Sequence, residues 1–371
     1  MKDLKEADIT RILETIPHPG PDAGSGNILE TGIVQSIDIQ DSGEGYEVVC
    51  VLEVRPEYGT AMEDLRQQVE GAIARIDRVS KALVVLTAEK KAKETGSSLK
   101  QDKPLAPDVK HIIAVASGKG GVGKSTVAIN LAAALAKLGQ KAGILDADIY
   151  GPSVPLLSGL QGRKPDFRKD DERIVPLEAH GLKVMSIGFM VDGEAPMIWR
   201  GPMVQSAIVQ MLRDVDWGGL DYLIVDMPPG TGDAQLAMAQ KVPMSGAVIV
   251  TTPQDLSLID ARKAVGMFEK VAVPILGIIE NMSYFLCPHC GERSEIFGHG
   301  GGRNEAQKAN HEFLGEIPLN AHIRALADSG QPLVYADPEN IHADIFLEIS
   351  SSVIAGLAVK KPRPFPRIVF E

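Results

Sequence analysis

Apolar positions along this chain recur with two spacings, and the way they alternate changes near residue 108. Before that point the elements are few. Residues 4–16 carry a helical pattern, 27–38 and 46–54 read as strands, 62–76 return to helical spacing, and 82–86 form a third strand. These elements predict a small α+β unit over residues 1–90. Lys90, Lys91, Lys93, Gly96, Ser97, Ser98, Pro104 and Pro107 follow, a polar stretch broken by prolines that predicts a linker over 91–107. From 108 to 371, apolar strand candidates at 111–116, 142–145, 182–187, 222–225, 247–250 and 275–279 are separated by helical patterns. Regular alternation of this kind predicts an α/β domain built on a mostly parallel sheet.

Composition narrows the class. The chain has 371 residues, long enough for two domains at about 100–200 residues each. With 44% hydrophobic and 23% charged residues it reads as an ordinary soluble protein. A net charge of −11 argues against nucleic acid as the main partner. No apolar run approaches the roughly 18–20 residues of a membrane span, so no membrane partner is expected. The start, Met1-Lys-Asp-Leu-Lys-Glu6, lacks both a signal core and an arginine-rich presequence. Three cysteines cannot build a disulfide framework, which fits a reducing, cytoplasmic location. The basic, proline-rich stretch 360–366 makes a poor amphipathic helix.

Candidate chemistry begins at Ser117-Gly-Lys-Gly-Gly-Val-Gly-Lys-Ser-Thr126. Gly118, Gly123, Lys124 and Ser125 satisfy the phosphate-loop pattern G-x-x-x-x-G-K-[ST], with a predicted strand before and helix formers after. Gly118, Gly120, Gly121, Val122, Gly123 and Thr126 would cradle a polyphosphate with backbone N–H groups. Lys124 would reach the β- and γ-phosphates, and Ser125 would ligate magnesium. Lys119 occupies a position the general pattern leaves free. It is either a solvated lysine or a second ammonium for the charge that shifts in phosphoryl transfer.

Residues 119–126 resemble the deviant phosphate loop of the MinD/ParA and nitrogenase iron-protein class. That resemblance implies ATP as the nucleotide and a homodimer in which Lys119 reaches the partner's ATP. Asp146 and Asp148 end an apolar strand at i and i+2, a spacing that puts both on one side of the strand, as a metal or water-positioning pair needs. From spacing alone they are equally two solvated turn acids. The resemblance implies a switch here, with Asp148 orienting the attacking water and Asp146 standing behind the magnesium ligands. Leu223-Ile-Val-Asp226 is an apolar strand ending in one acid that can hold magnesium directly or through water. Met227-Pro-Pro-Gly-Thr-Gly-Asp233 resembles the second switch of that class. Asn281 resembles its adenine-reading asparagine; without the resemblance, a turn or capping asparagine is the default.

Cys287-Pro-His-Cys290 places two thiols at metal-ligand spacing, yet two ligands seldom make a site. No second pair exists. Cys50 lies in a predicted strand as a small apolar residue, and His289, His299 and His311 are single candidate nitrogens. A redox pair would normally open a helix, whereas a glycine-rich loop follows here. Two copies of Cys287 and Cys290 across a two-fold axis supply four sulfurs, enough for zinc or an iron–sulfur cluster.

The small N-terminal unit, the Lys119-containing loop, Trp199-Arg-Gly-Pro202, Asp226–Asp233, Asn281-Met-Ser283 and the cysteine pair occur in order. Together they resemble the Mrp/ApbC iron–sulfur cluster carriers. The resemblance implies a slow cytosolic ATPase that binds a [4Fe–4S] cluster between subunits. It would receive the cluster from assembly factors and deliver it to apo-proteins. The first unit resembles a small iron–sulfur assembly domain, but the reactive cysteine that free-standing relatives carry is missing near Tyr58. Docking or regulation is therefore expected of that unit. The competing reading is a MinD/ParA-like spatial organiser with a structural Cys₄ zinc site.

Overall fold

The computed structural model describes residues 4, 6–18, 26–41, 45–53, 60–87, 105–190 and 201–359. Most of the predicted linker, Trp199 and Arg200, the position of Tyr58 and the proline-rich stretch near the C-terminus lie outside them. The chain divides into two compact units, Met1–Leu99 and Lys100–Glu371.

In the first unit α1 (Glu6–Leu13) precedes the strands β1 (Val34–Asp41) and β2 (Tyr46–Glu53), helix α2 (Thr60–Ala74) and strand β3 (Val79–Thr87). The sheet order is β1-β2-β3, with β1 antiparallel and β3 parallel to β2. A parallel pair requires a crossover, which α2 supplies. Its stripe of Met62, Leu65, Val69 and Ile73 closes the core over Val48, Cys50, Leu52 and Val84. The strand expected over 27–38 begins only at Val34. Asn27 Oδ1 accepts from Leu29 N at 3.0 Å and Glu30 N at 2.9 Å, and Gly32 turns with φ +70°, so 27–32 are wound into a turn.

In the second unit the elements are β4 (Val109–Ala116), α3 (Lys124–Lys137), β5 (Ala142–Asp146), α4 (Val154–Leu157), β6 (Asp166–Arg168), β7 (Arg173–Val175), β8 (Leu177–Ala179) and β9 (Leu182–Ser186). They continue as α5 (Gly201–Asp214), β10 (Leu220–Asp226), α6 (Asp233–Lys241), β11 (Gly246–Thr251), α7 (Asp255–Lys270) and β12 (Ile275–Asn281). The last are β13 (Phe285–Leu286), β14 (Arg293–Ser294), α8 (Gly301–Lys308), β15 (Phe313–Ile317), α9 (Ala321–Asp328), α10 (Leu333–Ala336) and α11 (Ile341–Val359).

An eight-stranded sheet runs β15-β12-β11-β4-β10-β5-β9-β8 and is parallel except for β8. Strands β5, β10, β11 and β12 are buried along almost their whole length and β4 from Ile112 onward, as a sheet covered on both faces requires. Alanines 128, 132, 133 and 134 are buried in α3, which packs closely on β10 and β5 and against α11. The turns that follow β4, β5, β10 and β12 emerge on one edge of the sheet, where open α/β folds bind ligands.

Helix α11 has 19 residues and a mean hydropathy of 1.4, enough by length and composition for a membrane span. Asp344 and Glu348 interrupt the run, which is why it does not stand out as an apolar stretch. A stripe of Ala343, Phe346, Ile349, Val353 and Leu357 is buried, and the helix packs on α3 and β15 as a core element.

Candidate functional site

Strand β4 delivers Ser117–Gly123 to the sheet edge, and the loop fits there only with glycine at particular positions. A Cβ on Gly118 would lie 2.1 Å from the backbone carbon of Asp260 in α7. Gly121 and Gly123 adopt φ +82° and +80°, and a Cβ at 123 would meet Asn281 Nδ2 at 2.3 Å. The loop is braced by Ser117 Oγ donating to the Lys119 carbonyl at 2.8 Å. Gly230 N of the β10–α6 turn donates to the Ser117 carbonyl at 3.1 Å, tying the second switch candidate to the phosphate loop. The Asp233 side chain lies outside the described atoms.

Lys124 opens α3 and is 6% exposed; its ammonium pairs with Asp226 Oδ1. Asp226 Oδ2 is buried and has no partner. Leaving a carboxylate oxygen buried and unsatisfied costs about 1–3 kcal/mol or more, so this atom suits a cation or a cation's water. Ser125 Oγ lies 3.4 Å from Lys124 Nζ and accepts from Ser153 Oγ at 3.1 Å. The donor set fits a magnesium ion beside a bound polyphosphate.

Asp146 and Asp148 are not strand mates, because β5 ends at Asp146 and the chain turns. Asp148 N donates back to Asp146 Oδ1 at 3.1 Å, and Asp146 Oδ2 accepts from Val154 N at 3.1 Å and Ser186 Oγ at 3.0 Å. Asp146 therefore knits the β5 turn, the start of α4 and the end of β9. It also stands opposite Asp226 in the register of β10 and β5. Burial and then the Asp226 charge push its carboxyl up to about 7. Burial likewise raises Asp148, against the pull of the Lys124 ammonium. Lys119 is half-buried, and among the described residues no carboxylate pairs with it.

Asn281 ends β12 and donates from Nδ2 to the Val122 carbonyl at 2.8 Å. Its amide thus holds the phosphate loop, and its carbonyl oxygen is left to accept. Strand β12 then leads into a hairpin. Strands β13 and β14 pair Phe285 with Ser294 and Leu286 with Arg293, placing Cys287-Pro-His-Cys290 in the turn. Cys287 N donates to the Glu292 carbonyl at 2.9 Å and Gly291 N to the Cys287 carbonyl at 2.8 Å, with Gly291 at φ +74°. The amides of His289 and Cys290 point at Cys287 Sγ and hold its thiol below the usual range. Cys287 is half-buried and Cys290 exposed, both free. No helix starts at this pair, unlike a redox C-x-x-C.

The histidines do not join the cysteines. His299 bonds Glu316 at 3.0 Å and His311 bonds Glu269 at 3.1 Å. Among the described residues no cluster of three or more metal-ligating side chains forms. Glu316 of β15 instead gathers Arg293, His299 and Arg303, while the Arg293 guanidinium also covers the Tyr284 ring at 4.0 Å. Burial raises the Glu316 carboxyl, but the bonds and charges of His299 and Arg303 outweigh it and hold it low. Ser153, Ser186, Glu280 and Glu316 escaped the sequence reading, since nothing in their immediate neighbours marks them.

Comparison with known proteins shows the family of the chain. Residues 108–354 match the family described as ParA: NUBPL iron-transfer P-loop NTPase. The iron-sulfur cluster carrier protein of Pseudomonas fragi is 50% identical over 287 residues, 77% of this chain and 98% of that protein. The iron-sulfur cluster carrier protein of Escherichia coli K12 is 47% identical over 300 residues, 80% of this chain and 79% of that one. An Archaeoglobus fulgidus nucleotide-binding protein, solved with ADP and with cobalt, aligns at TM-score 0.54 and 44% identity, covering 60% of this chain and 88% of that chain. The MinD cell division ATPase of Pyrococcus furiosus, at TM-score 0.50 and 23% identity over 66% of this chain and 99% of that chain, shows the shared fold. The chain therefore belongs to the NUBPL/Mrp family of iron–sulfur cluster carrier P-loop NTPases.

Proposed function

We propose that this protein is an ATP-hydrolysing carrier that holds a [4Fe–4S] cluster between two copies of itself and passes it to apo-proteins. The observation that carries the reading is the cysteine hairpin. Its backbone amides converge on one sulfur, the other sulfur is exposed, and among the described residues no third ligand of the same chain stands by. Two such hairpins facing each other complete a four-sulfur site.

ATP fits the loop 118–126, with Lys124 on the β- and γ-phosphates and Lys119 free to reach the partner's nucleotide. Ser125 and Asp226 would hold magnesium, which neutralises charge on the phosphates. Asp148 would orient the attacking water, and Asp146 would keep the switch turn in place. Asn281 would offer its carbonyl oxygen to the adenine amino group. Turnover is slow, because such a site is used for its two states more than for flux. The first unit offers no thiolate to a cluster, since its cysteine, Cys50, is buried and its thiol is pushed up to about 11 by that burial. Its role is docking of client or assembly proteins. Three unpaired cysteines support action in the reducing cytoplasm.

The test is anaerobic reconstitution with iron and sulfide, followed by metal and sulfide analysis. About four iron and four sulfide per dimer and a broad visible absorption are expected, both lost in Cys287→Ala. Zinc without sulfide in protein purified anaerobically, or an unchanged spectrum in the variant, would overturn the cluster assignment.

A further inference from the structure

Glu280, the residue before Asn281, is a fully buried carboxylate. Among the described residues no lysine or arginine pairs with it. Burying an unpaired carboxylate is costly unless its oxygens are fully bonded. Here Oε1 accepts from Ser283 Oγ at 2.6 Å and from Gly300 N at 3.0 Å, and Oε2 accepts from Gly302 N. The amides belong to the start of α8, whose N-cap is Gly300 with no side chain to cap it. A helix start normally takes its cap from a neighbouring serine, threonine or aspartate. This one takes it from a strand across a long loop. The fit is close: a Cβ on Gly302 would sit 3.1 Å from both Glu280 Cβ and Oε2.

The loop closed by these bonds is the cysteine hairpin. The chain leaves β12 after Asn281, is held at Ser283, passes Cys287 and Cys290, and returns at Gly300, so both ends of the loop are fastened to Glu280. The next residue, Asn281, fastens the phosphate loop through Val122. Successive strand residues point to opposite sides, so one rigid dipeptide grips the nucleotide loop on one side and the cysteine loop on the other.

We propose that Glu280 is a positioning residue through which occupancy of the nucleotide loop sets the metal affinity of Cys287 and Cys290. This rests on the reading of the cysteine pair as a metal site. A shift of Val122 on phosphate binding moves Asn281, the strand end moves with it, and Glu280 carries the displacement to Gly300 and Gly302. Glutamine at 280 would face one of the three donors with an amide N–H and break the closure while keeping size. Coupling of this kind is reciprocal: a nucleotide that changes metal affinity by some factor must have its own affinity changed by the same factor.

The experiment titrates the full-length protein with Co²⁺, reading the thiolate-to-cobalt absorption, without nucleotide and with saturating Mg·ADP or a non-hydrolysable ATP analogue. In the wild type nucleotide is expected to shift the Co²⁺ midpoint by about 5-fold or more. In Glu280→Gln the shift should fall below about 2-fold, with the cobalt spectrum intact and nucleotide affinity without metal within about 3-fold of wild type. Ser283→Ala, which removes one donor and adds no clash, should give an intermediate shift and serves if Glu280→Gln fails to fold. No nucleotide effect in the wild type, or full effect in both variants, overturns the proposal. Absence of any thiolate–cobalt band in the wild type fails differently, because it removes the metal site itself.

Discussion

Asp146 and Asp226 face each other on neighbouring parallel strands, and Lys124 is the buried cation among the described residues. One ammonium cannot neutralise two buried carboxylates, so one of them keeps its proton well above the ordinary carboxylate range. Asp146 is that group, with its folded pKa at about 7. A carboxyl whose folded pKa exceeds its unfolded value of about 3.9 binds its proton more tightly when folded. Its stabilising contribution is complete below about pH 4 and is lost as pH rises through about 7. In nucleotide-free protein, the unfolding free energy should decline between about pH 5 and 7, with Asp146 contributing up to about 1.4 kcal/mol per pH unit. Urea denaturation across this range should show a flatter slope in Asp146→Asn than in wild type. Equal slopes would show that Asp146 ionises normally. The carboxylates themselves were legible as residues at the ends of apolar runs. Their unequal roles were not, because these depend on strand register and on Ser186 and Val154, which are far away or outside any motif.

At the scale of elements, long buried strands and the glycine loop were readable, because continuous apolar runs and the loop pattern carry their own signal. Short or polar elements were not. Strands β13 and β14 have two residues each, and β15 keeps four of its five residues half-buried, so none shows a run. Residues 27–32 look strand-like by composition, but the Asn27 side chain winds them into a turn. Asp146 and Asp148 are not strand mates because β5 stops at Asp146, two residues short of Asp148.

The glycines in the phosphate loop allow a sharper test. Gly118 abuts the α7 backbone, whereas a Cβ on Gly120 would meet Pro229 Cβ at 4.0 Å. Gly118→Ala should force β4 and α7 apart and destabilise the nucleotide-free protein by about 1–3 kcal/mol, as overpacking does. Gly120→Ala should change stability by less than about 0.5 kcal/mol. Chemical denaturation of both variants decides this. Equal effects would mean that the approach of Asp260 does not constrain Gly118.

At the scale of the whole molecule, the proposed dimer would complete two features of the second unit. Lys119 has no carboxylate partner among the described residues, and the cysteine hairpin has two sulfurs where a metal wants four. Both shortages end if the same face of a second copy is brought up by a two-fold axis, since an isologous contact supplies each chain's missing groups from the other. Apolar side chains lie exposed on elements that border the site. Tyr150, 68% exposed, follows Asp148, and Leu256 and Ile259, 69% and 41% exposed, occupy the first turns of α7, whose Asp260 touches Gly118. The two shortages predict separable behaviour. Light scattering should show a dimer with Mg²⁺ and a non-hydrolysable ATP analogue. Lys119→Ala should lose that nucleotide-driven dimer while still binding nucleotide, because Lys124 and the loop amides remain. Cys287→Ser should keep the nucleotide-driven dimer yet lose any dimer formed by metal alone. A Lys119→Ala protein that dimerises with nucleotide as well as wild type does would mean that this ammonium serves its own chain's phosphates. The cysteine pair would then be the sole reason for two copies to meet.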